Sequence, residues 1–142
     1  MKISLFLLAL TLFFSCSKKD TIDVPTFWQC NKNQNLDSTA IANKLLGSWV
    51  WAKQSCWDDN KVRAADKNVI VNFNINGNFN KVENGTVITQ GTWKLKIVDS
   101  NMYGLELTQP SQYLHGRILF CDNQVLFYDS YRDGCDNVFN KK

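Results

Sequence analysis

From Gly47 onward, apolar and polar residues alternate with a period of two almost to the C-terminus. Val69, Val71, Phe73 and Ile75 alternate around Asn72 and Asn74, and Trp93, Leu95 and Ile97 alternate with Thr92, Lys94 and Lys96. Such alternation marks strands with one face buried. Eight strands are expected: Ser48–Trp57, Asn68–Ile75, Asn78–Glu83, Val87–Val98, Met102–Thr108, Gln112–Cys121, Asn123–Asp129 and Gly134–Asn140. Turn signals separate them at Asn76-Gly77, Asn84-Gly85, Asp99-Ser100-Asn101, Gln109-Pro110-Ser111 and Asp122-Asn123. Short antiparallel strands linked in sequence form a meander, and eight of them close into an all-β up-and-down barrel without exposed edges. An open sandwich is the competing fold, but hairpin-length links leave little chain for its crossovers. Ahead of the strands the period changes. Asp37 is a good N-cap, Leu36 and Ile41 can form a hydrophobic staple, and Gly47 is a stop, so a short N-terminal helix is expected over "STAIANKLL" with Ile41 and Leu45 on one face.

The N-terminal segment has a different organisation. Lys2 precedes an apolar run from Ile3 to Phe14, too short to span a bilayer as a helix. The following residues, Phe13-Phe14-Ser15-Cys16, resemble a bacterial lipobox, with Phe13 where leucine is usual. The resemblance implies that residues 1–15 are a lipoprotein signal peptide and that Cys16 receives diacylglycerol. Acyl chains such as palmitate, at about 0.8 kcal/mol per buried methylene, would then hold the protein on a membrane. Ser17 in place of aspartate implies the outer membrane of a gram-negative envelope. Residues 16–36 then read as a lipidated tether, its "FWQC" segment packing on the domain, and 37–142 as the barrel domain.

Composition excludes several classes. The formal charge of +3 falls to about +2 once Lys2 is removed with the signal, and there is no basic stripe for nucleic acid. Sixteen asparagines sit mostly at turns and on polar strand faces. Beyond Cys16, four cysteines remain, Cys30, Cys56, Cys121 and Cys135; an even number in an exported chain points to two disulfides with three possible pairings. No C-x-x-C spacing supports a metal site. His115 is the only histidine, no nucleophile elbow is present, and Glu83 and Glu106 lie in separate strands, so no enzyme and no cofactor are expected. Asp58, Asp59, Asp66, Asp129, Asp133 and Asp136 gather in rim loops, but Lys61, Arg63 and Arg132 offset them and no calcium-loop spacing occurs.

The stretch "LLGSW" at Leu45–Trp49 resembles the Gly-x-Trp entry of lipocalins, and "FNINGNF" and "GTWKL" fit the same pattern. Residues 37–142 therefore look like a small lipocalin-like domain of the bacterial lipoprotein kind. The resemblance implies that Trp49 points inward as a barrel plug, with the helix beneath it. Lipocalins stack a late-strand arginine on that tryptophan; none is available here, and Lys141 is a candidate substitute. The meander also brings the first and last strands together, which implies Cys56–Cys135 at one end and Cys30–Cys121 at the other, with Cys56 and Cys121 facing outward by parity. Trp51, Val71, Phe73, Trp93, Leu105 and Ile118 are the candidates for an interior ligand cavity, and the long Asp58–Lys67 loop sits where a lid would. The function expected is a monomeric, non-enzymatic binder of a small apolar or amphipathic molecule. The alternative is a filled barrel acting as a structural or interaction module through its outer face or rim, which an exposed Trp28 or Trp57 would favour.

Overall fold

A computed structural model describes residues 22–59 and 61–142; the expected signal peptide, Cys16 and the first part of the expected tether lie outside those residues. The alternating segments become nine antiparallel strands: β1 Gly47–Cys56, β2 Val62–Ala64, β3 Val69–Phe73, β4 Asn78–Glu83, β5 Thr86–Asp99, β6 Met102–Leu107, β7 Arg117–Cys121, β8 Gln124–Tyr128 and β9 Cys135–Lys141. Their spatial order is β6-β5-β4-β3-β1-β9-β8-β7, with the short β2 beside β1. This is the expected eight-strand meander, nearly closed. The chain's opening and final strands pair along their length, from Trp49 opposite Lys141 to Cys56 opposite Cys135. The remaining seam lies between β6 and β7. There Gly104 and Gly116 bring backbone close to backbone, and the Arg117–Asp99 ion pair crosses from β7 to β5.

Two helices precede the barrel. Helix α2, Ser38–Leu45, starts where expected, with the Asp37 carboxylate accepting the Ala40 amide at 2.8 Å, and it buries Ile41 and Leu45. Gly47 then turns the chain into β1 at φ 101°, a conformation open mainly to glycine. Helix α1, Val24–Gln34, is a correction to the tether reading. Asp23 caps it through Thr26, Pro25 lies in its first turn, where a missing amide proton costs nothing, and Asn35 ends it in the left-handed region.

Helix α1 does two jobs. Phe27 packs on the outer faces of Leu119, Leu126 and Val138, building a second core outside the barrel. Its C-terminal half also satisfies the free edge of β7: Asn31 accepts the Phe120 amide at 3.1 Å and Gln34 donates to the Phe120 carbonyl at 3.2 Å. An edge strand left bare would invite pairing with another chain. Cys30–Cys121 fixes the helix there, and Cys56–Cys135 staples the opposite end of the β1–β9 ladder.

Four further expectations change. The predicted strand from Gln112 begins only at Arg117, because a turn closed by Leu114 N–H on the Ser111 carbonyl sends Tyr113 and Leu114 into the core. The predicted lid folds back as β2 along β1, pairing Val62 with Ser55. Ile75 and Ile97 are exposed, since β3 ends at Phe73 and the β5–β6 register slips after Ile97. A bulge between Trp51 and Lys53 shifts the alternation of β1. Cys56 consequently falls on the row of Cys135, Asn137 and Phe139, not on the outward face assigned by simple parity. Cys121 does lie in the outer core.

Phe27→Ala should lower stability by about 3–5 kcal/mol in urea unfolding with both disulfides intact. A change within error would return residues 24–34 to the status of a tether.

Candidate functional site

The narrow end of the barrel is built where α2 meets β1 and β9. Trp49 is buried, its indole N–H donates to the Leu45 carbonyl at 2.6 Å, and its ring packs on Phe120. Lys141 Nζ sits 4.3 Å from the Trp49 ring centroid and donates to the carbonyls of Lys44 and Leu46. One ammonium thus holds the unpaired carbonyls at the C-terminus of α2 and the face of the indole. Burial, with the like charge of Lys44 second, draws the Lys141 amine below its ordinary pKa.

The six residues proposed to line an interior cavity fall into two groups. Trp51, Val71, Phe73, Leu105 and Ile118 are buried in one continuous cluster with Phe79, Tyr113, Phe127 and Phe139, while Trp93 packs on it half-buried. Trp51 meets Tyr113 with ring centroids 4.9 Å apart, and Phe73 meets Trp93 at 5.3 Å. Trp51 also donates to Asn137 at 3.2 Å. Tyr113 therefore fills part of the interior beside Trp51, and the space next to Gly116 is taken by the backbone of Tyr128 and Asp129. Of five hollows opening on the surface of the described residues, none is lined by more than one of the six.

The polar candidates separate. Glu83 pairs with Lys67 and Glu106 with Lys94 on different parts of the sheet. His115 is exposed and shares a surface hollow with Lys96 and Arg132. Among the rim acids, Asp59 pairs with Arg63 and Asp129 with Arg132. No three His, Cys, Asp or Glu groups among the described residues gather as a metal site.

The rim nonetheless forms a distinct hollow of about 300 Å³ at the Cys56–Cys135 end. Register places Val62, Ser55 and Asp136 in one row across β2, β1 and β9, with Tyr128 next on β8. Ile22, just before α1, and Val24 at its start close one side, and Trp57, 57% exposed, stands at the other. Trp28 is half-buried, edge-on to Tyr128. Behind it Arg117 lies over Tyr131 at 3.9 Å and pairs with Asp99, a clamp joining β7, the β5 end and the loop after β8.

Asp136 is 5% exposed. One of its oxygens accepts the amides of Asp129 and Ser130, each at 2.8 Å, and so holds the turn after β8. Burial pushes its carboxyl above the ordinary value; the Ser130 and Asp129 amides and the Ser130 hydroxyl oppose the rise, and the charge of Asp129 adds to it. Sequence reading placed Asp136 in the rim but missed the hollow, because α1, which closes it, was read as tether. The signal available was the doubly apolar runs Ile118–Cys121 and Val125–Tyr128, which need cover on both faces.

Comparison of the chain with protein-family models, with curated proteins and with solved structures finds no match in any of the three.

Two outcomes follow from these sites. Lys141→Met should destabilise by about 1–3 kcal/mol in chemical unfolding, with the Trp49 fluorescence moving toward that of exposed indole; an unchanged midpoint would remove the ammonium from the plug. For Asp136 the native pKa lies above the unfolded value near 3.8. The native state is therefore penalised at neutral pH, is relieved as pH falls through its raised pKa, and carries no penalty below the unfolded value. Stability profiles of wild type and Asp136→Asn should thus diverge in favour of wild type as pH falls from 7 toward 4. Parallel profiles would contradict the raised pKa.

Proposed function

We propose that this chain is a non-enzymatic envelope lipoprotein, anchored through acyl chains on Cys16 in the outer membrane of a gram-negative bacterium. Its lipocalin-like barrel serves as a structural and interaction module that works through its loop rim. The observation that carries this reading is the packing of Trp51, Phe73 and Tyr113 into one core, together with Trp57 exposed above the rim hollow. Bulk of this size inside an eight-strand barrel favours filling over cargo. An exposed indole beside a concave surface is the kind of feature that anchors partners. Two disulfides accord with an oxidising compartment outside the cytoplasm. No helix among the described residues is long and apolar enough to cross a membrane; the acyl anchor is proposed from the lipobox-like Phe13-Phe14-Ser15-Cys16.

A small apolar or amphipathic molecule is the second reading, and one feature favours it. Trp93, Leu95, Ile75, Ala42 and Leu46 line an apolar surface hollow of about 310 Å³ between α2 and β5. The Trp93 indole nitrogen is buried there without an acceptor.

Native mass spectrometry of the mature protein from its own envelope separates the two readings. The module reading predicts a chain beginning at an acylated Cys16, with both disulfides and no small molecule released by organic solvent. An unmodified N-terminus would refute the anchor. A released small molecule, retained in a Trp57→Ala variant and lost in Trp93→Ala, would transfer the function to the hollow beside α2.

A further inference from the structure

Five ion pairs join the described residues: Arg63–Asp59, Lys67–Glu83, Lys94–Glu106, Arg117–Asp99 and Arg132–Asp129. Asp136 belongs to none of them, although it is the most deeply buried carboxylate among those residues. Buried charge without a counter-ion is costly, and hydrogen bonds offset only part of the cost. Holding the turn after β8 does not require that charge. The amides of Asp129 and Ser130 both reach the same oxygen, and an asparagine oxygen offers the same two acceptor positions. Nor does the fold ask for a carboxylate here. The next outward residue on β9 is Val138, and an apolar side chain at 136 would extend the outer core that Val138 shares with Leu126 and Phe27.

What the carboxylate does face is the rim hollow. Its walls are mainly apolar or aromatic, with Ile22 just before α1, Val24 from α1, Val62 from β2, Tyr128 from β8 and Trp57 beyond β1, while Ser55 and Ser130 lie beside the carboxylate. The next cation along the row is Arg117, opposite Tyr128 on β7. It is committed to Asp99 and to the Tyr131 ring. A ligand suited to this hollow has an apolar stem for its walls and a positive charge for its floor.

We propose that the rim hollow binds an alkylammonium group, its carbon stem against Ile22, Val24 and Val62 and its cationic nitrogen on the Asp136 carboxylate between Tyr128 and Trp57. The aromatic pair adds cation–π attraction to the ion pair. An anion would meet the like charge of Asp136, and a purely apolar molecule would leave the carboxylate without its counter-ion. The proposal rests on the reading of the rim as the working surface and names the chemistry that surface selects.

The test uses the mature acylated protein in lipid nanodiscs, labelled with 5-fluorotryptophan so that ¹⁹F resonances report each of the five indoles separately. Titration with n-butylammonium should shift the Trp57 resonance saturably and leave those of Trp49 and Trp51 in place; n-butanol and butyrate should give no saturable shift. Asp136→Asn should weaken butylammonium binding at least tenfold, about 1.4 kcal/mol, with the Trp49 and Trp51 resonances unmoved as proof of fold. Val62→Lys, which places an ammonium in the same cross-strand row, should abolish binding with Asp136 intact. Equal saturable shifts from butanol would overturn the charge preference and leave the rim reading standing. Silence from all three probes would overturn both, and an Asp136→Asn protein that binds as wild type would remove the carboxylate from the site.

Discussion

The pairing of β1 with β9 is the constraint on which the rest of the molecule depends. It joins residues at the two ends of the barrel sequence, with Trp49 opposite Lys141 and Cys56 opposite Cys135. At one end of this ladder Lys141 reaches the carbonyls of α2 and the face of Trp49, so helix, plug and last strand share one ammonium. At the other end the register sets Val62, Ser55 and Asp136 in a row and puts the two cysteines within bonding reach. The disulfide shortens the loop that the unfolded chain must close, worth about 2–4 kcal/mol. A ladder slipped by one residue would put Trp51 and Phe139 on opposite faces and expel one of them from the core.

Around this ladder the sheet is asymmetric. Strands β3 to β6 bury mainly one face, and their outer side carries Asn72, Asn80, Lys94 and Lys96, while Lys81 turns inward over the Tyr113 ring. Strands β7 to β9 bury both, with the barrel core inside and α1 outside. The seam between β6 and β7 is where the barrel does not zip. It is managed by different chemistry at each end: side chains of α1 take the Phe120 backbone groups, and Arg117 reaches across to Asp99. The rim hollow is a by-product of that asymmetry. It exists because the start of α1 stops short of Trp57 and leaves Asp136 at the floor between them.

Much of the architecture was legible because it is written in local patterns. The period-two runs located the strands, Asp37 and Gly47 bounded α2, and the Asn-Gly pairs marked hairpins whose residues do adopt positive φ at Asn84, Gly85 and Gly77. The meander with its ends brought together was enough to pair the cysteines correctly. What escaped depended on long-range packing. Helix α1 has a weak period of its own, and only its docking on Leu119, Leu126 and Val138 makes sense of Phe27. Tyr113 alternates as a strand residue would, but the turn at Ser111 carries it inside. The bulge after Trp51 is invisible in composition, and it reverses the face on which Cys56 lies. Asp136 was seen as one rim acid among six; its burial and its want of a cation are properties of the assembled row.

The most direct measurement is the set of cross-strand nuclear Overhauser contacts in the isotopically labelled, disulfide-intact protein. The β1–β9 ladder should give contacts between Trp51 and Phe139 and between Ser55 and Asp136, on opposite sides of the bulge. Their absence, with Trp51 in contact instead with β7 or with Cys56 bridged to Cys30, would contradict a barrel closed by its first and last strands.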